Sequence, residues 1–283
     1  VWSKAKRVKS SLLNFPSRDY LIPEPYGNVL IITPWNYPFQ LAMTPLVGAV
    51  AAGNTVILKP SESSINTSSI VAEIVNSVFD SSHVSVLEGD ASLASALLRK
   101  RWDYIFYTGS TAVGKIVAKA AAEHLTPTTL ELGGKSPCII DESIPIKKTA
   151  KRIIWSKFIN CGQTCIAPDF LLVHNSIKAI LITNLISEIK NAFGENPKNS
   201  SDYGRIIHGR HFKKLTSLLD KQKVVFGGSK DKNQLYLSPT LVDEPNLNSS
   251  LMQEEIFGPI LPIIGYDSEE ELHKVLENRE KPL

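Results

Sequence analysis

Four strand-length apolar runs, each followed by a segment of helical character, constrain the fold more than any other feature. The runs cover residues 28–33, 55–59, 84–87 and 104–107. Continuous apolar runs of this length suit strands buried on both faces of a parallel sheet, and parallel strands need crossover helices between them. The alternation therefore predicts an α/β fold with a doubly wound, Rossmann-like parallel sheet.

The segments between these runs have helical patterns. We expect helices at 41–52, at about 90–99 and in an alanine-rich stretch that ends near His124. A further helix follows Glu62, with an apolar face predicted from helical spacing and made of Ile70, Val71, Ile74, Val75 and Val78. The prolines at 34 and 38 predict a stiff, non-helical loop directly after the first strand.

A strand at 128–132 and the pair Gly133-Gly134 close this section. We therefore predict a cofactor-binding domain at 1–132 and a second α/β, catalytic domain at 133–283. In the second domain, strands are expected at 137–141, 170–174 and 260–265. Helices are expected at 146–160, at 177–192 and in a last segment that ends near Lys281.

Composition excludes several classes of protein. The net charge is only +3, with basic residues scattered among acidic ones, which argues against nucleic-acid binding. The apolar runs are too short to span a bilayer, and no signal-peptide pattern is visible. Three cysteines are too few for a disulfide framework, which favours a cytoplasmic location. The histidines lack accompanying ligands, so no metal site is predicted.

Two of the three cysteines lie in the stretch FINCGQTCIAPD, residues 158–169. Cys165 follows a Gly-Gln-Thr loop at the end of a predicted helix, a setting that suits a reactive thiol. From these residues alone, a small buried side chain is the more common role of a cysteine.

Three further stretches carry polar groups beside predicted strands. Residues 109–115 lie between a strand and a helix, where exposed N–H groups bind phosphate, although Ile116 replaces the hydroxyl residue of a triphosphate-binding loop. Lys59 and Glu62 follow another strand and suit either a ribose contact or a solvated loop. Glu131 lies within an apolar strand and suits either a general base or an edge strand that faces water.

Six stretches in order resemble the aldehyde dehydrogenase superfamily, most of all its class 3 branch. They are Pro-Trp-Asn-Tyr-Pro at 34–38, Lys-Pro-Ser-Glu at 59–62, Tyr-Thr-Gly-Ser at 107–110, Leu-Glu-Leu-Gly-Gly-Lys at 130–135, Gly-Gln-Thr-Cys at 162–165 and Glu-Glu-Ile-Phe-Gly-Pro at 254–259. The resemblance implies oxidation of an aldehyde to a carboxylic acid with NAD or NADP, with NAD slightly favoured because a carboxylate at 62 suits a free ribose hydroxyl.

The resemblance also implies roles for individual residues. Cys165 matches the nucleophile that forms a thiohemiacetal and then a thioester, Asn36 matches the oxyanion donor, and Glu131 matches the residue that activates water. The positions that match cofactor contacts are Thr33, Trp35, Lys59, Glu62, Gly109, Ser110, Gly114, Glu255 and Phe257. Cys138 and Cys161 match no functional position.

Members of this superfamily are considerably longer, so the chain resembles one truncated at both ends, with the start of an oligomerisation segment near 10–25. A homodimer is implied by resemblance. Two alternatives stay open: a truncated fragment that only binds nucleotide, and a relative that passes the acyl group to a thiol such as coenzyme A. A third alternative, a triphosphatase, depends on residues 109–115.

Overall fold

The structure, a computed structural model, describes residues 4–277 and 279–283. The chain falls into two compact units, divided between Glu131 and Leu132, one residue before the predicted boundary. In the described part of the first unit, the strands are β1 (Lys6–Val8), β2 (Asp19–Leu21), β3 (Asn28–Ile32), β4 (Thr55–Lys59), β5 (Val84–Val86), β6 (Tyr104–Thr108) and β7 (Thr128–Glu131), and the helices are α1 (Pro38–Ala51), α2 (Ile65–Val78), α3 (Ala91–Leu98) and α4 (Thr111–Ala122).

The main sheet of the first unit has the order β5-β4-β3-β6-β7, and all its neighbouring strands are parallel. The order reverses between β3 and β6, so this is a doubly wound sheet. Its core packs Val29, Ile31, Leu46, Leu58 and Val71 together. The predicted fold class is confirmed by this sheet.

Two predictions about helices in the first unit were wrong. Helix α1 begins at Pro38 rather than residue 41, because a proline at the first helical position needs no N–H partner and already has a helical φ. In α2, Val71 and Val75 are buried, whereas Ile70, Ile74 and Val78 are exposed. The buried part of the α2 surface is therefore narrower than the apolar face that the sequence spacing predicted.

In the described part of the second unit, the strands are β8 (Pro137–Ile140), β9 (Phe170–His174), β10 (Val224–Phe226), β11 (Lys230–Asp231), β12 (Tyr236–Leu237), β13 (Thr240–Asp243) and β14 (Ile260–Tyr266), and the helices are α5 (Ile146–Phe158), α6 (Asn175–Phe193), α7 (Gly209–Leu218), α8 (Ser250–Gln253) and α9 (Glu269–Leu276). Helix α5 ends two residues earlier than predicted, and α9 ends before the predicted Lys281.

The second sheet has the order β10-β13-β14-β9-β8. Its strands are parallel except β10, which runs antiparallel to β13. Helices α5 and α6 bury Ile153, Ile154, Phe158 and Leu185 in a core shared with β9 and β14. Ile153, Ile154 and Phe158 thus form the inward face of α5.

An arm precedes β3 in the first unit. Strands β1 and β2 pair antiparallel. Exposed apolar side chains occur between the two strands, at the end of β2 and just after it, among them Leu12, Leu13, Phe15, Leu21 and Ile22. Such a concentration of exposed large apolar residues is typical of an interaction surface.

Candidate functional site

The candidate residues of the first unit lie at the carboxyl ends of its parallel strands. Ile32 pairs with Lys59 and with Tyr107, and Thr108 pairs with Glu131, so the residues that follow these strands share one edge of the sheet. Because the strand order reverses between β3 and β6, this edge has the crevice at which open α/β sheets bind ligands.

Thr33 begins the segment after β3. It is buried, and its N–H donates to the Lys59 carbonyl at 3.1 Å. Its side-chain Oγ1 is buried without a hydrogen-bond partner among the described residues. A buried polar atom of this kind calls for an explanation. Trp35 is partly buried and Asn36 is buried in the same segment.

Lys59, the last residue of β4, is only 4% exposed, and its Nζ lies 2.7 Å from Glu62 Oε2. The solvated-loop interpretation is therefore wrong for Lys59. Desolvation raises the pKa of Glu62, but the hydrogen bond and charge of Lys59 leave that pKa below its usual value. The Glu62 carboxylate is thus held in its charged form beside a buried ammonium.

A cavity of about 310 Å³ opens beside this ion pair. Its lining residues are Pro60, Ser61, Glu62, Ile65, Ser68, Glu88, Gly89 and Asp90. The wall thus combines apolar surface from Pro60 and Ile65 with three carboxylates. An uncharged group that carries hydroxyls suits this wall better than an anion does.

The turn after β6 leads directly into α4. Ser110 caps the helix, its Oγ accepting from the Val113 N–H at 3.4 Å. A side chain at Gly109 would collide with the Tyr107 hydroxyl, so the turn needs glycine. Gly114 is buried one turn into the helix, so it lies away from the exposed first N–H groups.

Glu131 is the last residue of β7 and is partly buried. Strand β7 lies at one end of the sheet order, as the edge-strand interpretation predicted. The Glu131 carbonyl accepts from the Gly109 N–H at 2.9 Å, which fixes the end of β7 against the turn after β6.

In the second unit, the cysteine loop begins with an uncommon backbone. Asn160, Cys161 and Gly162 have φ values of 50°, 56° and 73°, so three consecutive residues are left-handed. This conformation costs about 1–2 kcal/mol for each residue with a side chain. A Cβ at Gly162 would also collide with the Gly258 carbonyl.

The side chain of Gln163 braces this loop. Its Nε2 donates to the Asn160 and Arg205 carbonyls, each at 3.1 Å, and its Oε1 accepts from the Ile207 N–H at 3.0 Å. Gln163 is buried, and these contacts hold the strained turn that ends three residues before Cys165.

The two cysteines of this loop differ in environment. Cys161 is fully buried, and desolvation raises the pKa of its thiol to about 11. Cys165 is partly exposed. Because a thiol needs access and thiolate character to react, only Cys165 is suited to chemistry with a ligand.

Glu255 and Phe257 follow α8. Desolvation raises the pKa of the Glu255 carboxyl above its usual value, although the Gly134 N–H donates to it and lowers the pKa in part. A side chain at Gly133 would collide with this carboxylate. Phe257 has a φ of 53°, and its carbonyl lies 2.8 Å from His211 Nε2.

Sequence reasoning missed Gln163, Lys135, Lys157 and Asp169 as parts of this region. Lys157 is fully buried, and desolvation lowers the pKa of its ammonium to about 8. An ionisable residue on the apolar face of a predicted helix is a signal that could have found Lys157.

No group of three or more potential metal ligands occurs among residues 4–277 and 279–283. No helix within those ranges is long and apolar enough to cross a membrane.

Comparison with known proteins identifies the family. The model of the aldehyde dehydrogenase family matches residues 3–281, so the chain belongs to the aldehyde dehydrogenase family. The chain is 49% identical to the 4,4′-diaponeurosporen-aldehyde dehydrogenase of Staphylococcus aureus and 50% identical to aldehyde dehydrogenase family 3 member A2 of Mus musculus. The matches cover 100% and 99% of this chain but only 62% and 58% of the relatives.

Solved structures agree. A substrate-bound Staphylococcus aureus AldH superposes with a TM-score of 0.97 at 48% identity, over 100% of this chain and 62% of that one. A Mycobacterium tuberculosis aldehyde dehydrogenase complexed with NAD+ gives a TM-score of 0.86 at 28% identity, over 97% of this chain and 58% of that one. Among the relatives is also a rat enzyme named as dimeric and NADP-preferring, at 49% identity.

Proposed function

We propose that the protein carrying this sequence oxidises an aldehyde to a carboxylic acid with a nicotinamide dinucleotide, through a covalent intermediate on Cys165. The observation that carries the proposal is the contrast between the two thiols of one short loop. Cys161 is fully buried, whereas Cys165 is partly exposed after a braced, left-handed turn. Membership of the aldehyde dehydrogenase family supports the reaction class.

The chemistry proposed for the chain's own residues has two stages. The Cys165 thiolate attacks the aldehyde carbon and gives a thiohemiacetal, whose oxyanion accepts from the Asn36 amide and the Cys165 N–H. Oxidation of this carbon leaves a thioester. Glu131 then takes a proton from water, which attacks the thioester and releases the acid and the thiol. The bound nicotinamide supplies the hydride acceptor.

The first unit fits such a cofactor on two observations. The buried Oγ1 of Thr33 lacks a partner among the described residues. The cavity beside Lys59 offers carboxylates to the hydroxyls of a sugar and apolar surface to a ring attached to that sugar. Thr33, Trp35, Lys59, Glu62, Gly109, Ser110 and Gly114 are the residues proposed to hold the dinucleotide in this unit, and Glu255 and Phe257 in the second.

NAD is the proposed preference. The cavity has Glu62, Glu88 and Asp90 in its wall, and a phosphate on the ribose would meet three carboxylates. Lys59, the neighbouring cation, is already paired with Glu62. The relative in complex with NAD+ and the relative named NADP-preferring leave both cofactors within the family.

The test is a stopped-flow measurement of NADH formation with a simple aldehyde. The proposal expects a burst of one NADH per Cys165 followed by steady release of acid. Tight NAD+ binding without a burst would overturn it in favour of a nucleotide-binding fragment. A burst whose steady state requires coenzyme A would instead indicate the acylating alternative, in which Glu131 has no hydrolytic role.

A homodimer and a cytoplasmic location complete the proposal. The exposed apolar arm that contains Leu12, Leu13 and Phe15 supports self-association, and light scattering on Leu13→Glu against the parent protein tests it. The small number of cysteines supports the reducing compartment.

A further inference from the structure

Lys135 and Asp169 form a buried ion pair in the second unit, with side chains 8% and 4% exposed. Neither residue belongs to the proposed chemistry. A buried ion pair is not an efficient stabiliser, because desolvation of two charges offsets most of their attraction and an apolar pair of similar volume is often as stable. The pair therefore needs a reason beyond stability.

The hydrogen bonds of the pair supply such a reason. Besides Asp169 Oδ2, Lys135 Nζ donates to the Leu251 carbonyl at 2.8 Å and to the Glu254 carbonyl at 3.0 Å. Asp169 Oδ1 accepts from the Ile256 N–H at 2.9 Å. The backbone on both sides of Glu255 is thus bound to this one pair.

Two other segments are fixed by the same pair. The Asp169 N–H donates to the Ser136 carbonyl at 2.8 Å, next to Lys135. Asp169 itself lies four residues after Cys165. The pair therefore connects the segment 133–136, the end of the cysteine loop and the segment 251–256.

The side chain of Glu255 is fitted to the first of these segments. The Gly134 N–H donates to its carboxylate, and the carboxylate lies so close to Gly133 that a Cβ added there would have to displace it. Arg279 adds a donor to the same stretch, its guanidinium lying 2.7 Å from the Met252 carbonyl. Loss of the Lys135 contacts would release the 254–256 backbone and the carboxylate together.

We propose that Lys135 and Asp169 are positioning residues that fix the Glu255 carboxylate for the nicotinamide ribose. This inference rests on the proposed function, which assigns Glu255 to that ribose. A charge-assisted hydrogen bond contributes about 1.5–3 kcal/mol. Loss of one such bond between Glu255 and the ribose would therefore weaken NAD+ binding by roughly 10- to 150-fold.

The test measures binding of NAD+ and of AMP, which lacks the nicotinamide ribose, by calorimetry on the parent protein, Lys135→Met and Lys135→Arg. We expect Lys135→Met to weaken NAD+ by about 10-fold or more and to leave AMP unchanged, with Lys135→Arg recovering part of the loss. Combined with Glu255→Gln, the Lys135→Met effect should largely disappear, because residues acting through one another are non-additive.

A matched control is Lys178→Met, which breaks the partly buried ion pair of Lys178 with Asp243 in the same unit. It should lower the melting temperature without changing the ratio of NAD+ to AMP affinity. Equal weakening of NAD+ and AMP by Lys135→Met, or full additivity with Glu255→Gln, would overturn the inference.

A second measurement keeps the inference testable if Lys135→Met folds poorly or if NAD+ does not bind. Amide hydrogen exchange at Ile256 should accelerate in Lys135→Arg and Asp169→Asn relative to Lys178→Met. Unchanged exchange would contradict the positioning role. If the parent protein does not bind NAD+ although its amide exchange at Ile256 is slow, the proposed function is overturned instead.

Discussion

The two units hold their candidate residues in different ways. In the first, Thr33, Lys59 and Gly109 lie at or just beyond the ends of regular parallel strands. In the second, Cys165 follows the strained turn at 160–162, which is held by Gln163 and by the close approach of Gly162 to Gly258. Side chains at strand ends are positioned by the sheet itself, whereas the cysteine loop depends on a few specific contacts.

This difference predicts how each unit tolerates substitution. Removal of a side chain at a strand end should change ligand binding and leave the fold intact. Changes in the cysteine loop should affect structure and chemistry together, because backbone strain is tolerated only where the surroundings determine it.

Replacement of the proposed nucleophile should have the largest effect. Cys165→Ala should reduce turnover by roughly 10⁴-fold or more, since loss of a covalent nucleophile removes most of the catalysis. NADH formation and calorimetric NAD+ binding check this together, with binding unchanged. Cys161→Ala is the control, which should retain turnover and lose stability. Full turnover in Cys165→Ala would remove that residue from the mechanism.

Glu131→Gln tests a strand-end residue of the first unit. It should slow steady-state turnover by about 10²–10⁴-fold through loss of a general base while leaving the first burst of NADH. Stopped-flow absorbance separates the two phases. A burst that falls in parallel with the steady state would place Glu131 before hydrolysis.

Gly162→Ala tests the strained turn. The substitution should lower the free energy of unfolding by about 3 kcal/mol, from left-handed strain and the collision with the Gly258 carbonyl. Chemical denaturation measures it. Gly53→Ala is the control, because Gly53 also has a positive φ, 91°, and an added Cβ there meets only ordinary contacts at 3.7 Å or more. Equal losses in both variants would mean that the Gly258 contact adds nothing.

Glu62→Ala should change cofactor selection and also lower stability, because it removes the ion-pair partner of the buried Lys59. We expect NAD+ to bind about 10-fold more weakly through loss of a ribose hydrogen bond, and NADP+ to change less. Calorimetry with both cofactors is the measurement. Glu73→Ala, an exposed carboxylate on α2, serves as control. Equal weakening of both cofactors would rule out the ribose role.

Lys157 should produce a small pH dependence of stability. Its pKa falls from 10.5 to about 8 through desolvation, with Asp169 and Glu255 opposing the shift. The folded state therefore releases this proton at lower pH than the unfolded state, and stability rises with pH across this window. Between pH 8 and 9 the rise should be about 1 kcal/mol, and it should be absent in Lys157→Met. Parallel curves for both proteins would contradict it.

Much of the first unit could be predicted from sequence because its strands are continuous apolar runs joined by short turns. The start of α1 and the buried face of α2 were exceptions: in α2, Ile70, Ile74 and Val78 repeat at helical spacing yet remain exposed. Hydrophobic periodicity identifies the helix but does not fix how much of its apolar surface the sheet covers.

The second unit was less predictable because its contacts are non-local. Lys135 bonds to a carbonyl 116 residues away, and Gln163 bonds to Arg205 and Ile207 across a distant loop. A single sequence carries no local pattern for such pairs. The left-handed φ of Asn160 and Cys161 was equally hidden, since neither residue type requires it.

The unequal burial of Cys161 and Cys165 has a consequence for handling the protein. Oxidation by peroxide proceeds from accessible thiolates through sulfenic to irreversible sulfinic and sulfonic acids. Cys165 is open to this sequence of reactions, whereas the buried, high-pKa Cys161 is shielded. Ageing in air would therefore damage one sulfur atom of the loop and spare its neighbour, so a preparation would keep its fold and the Cys161 thiol while losing the thiol that the proposed mechanism needs.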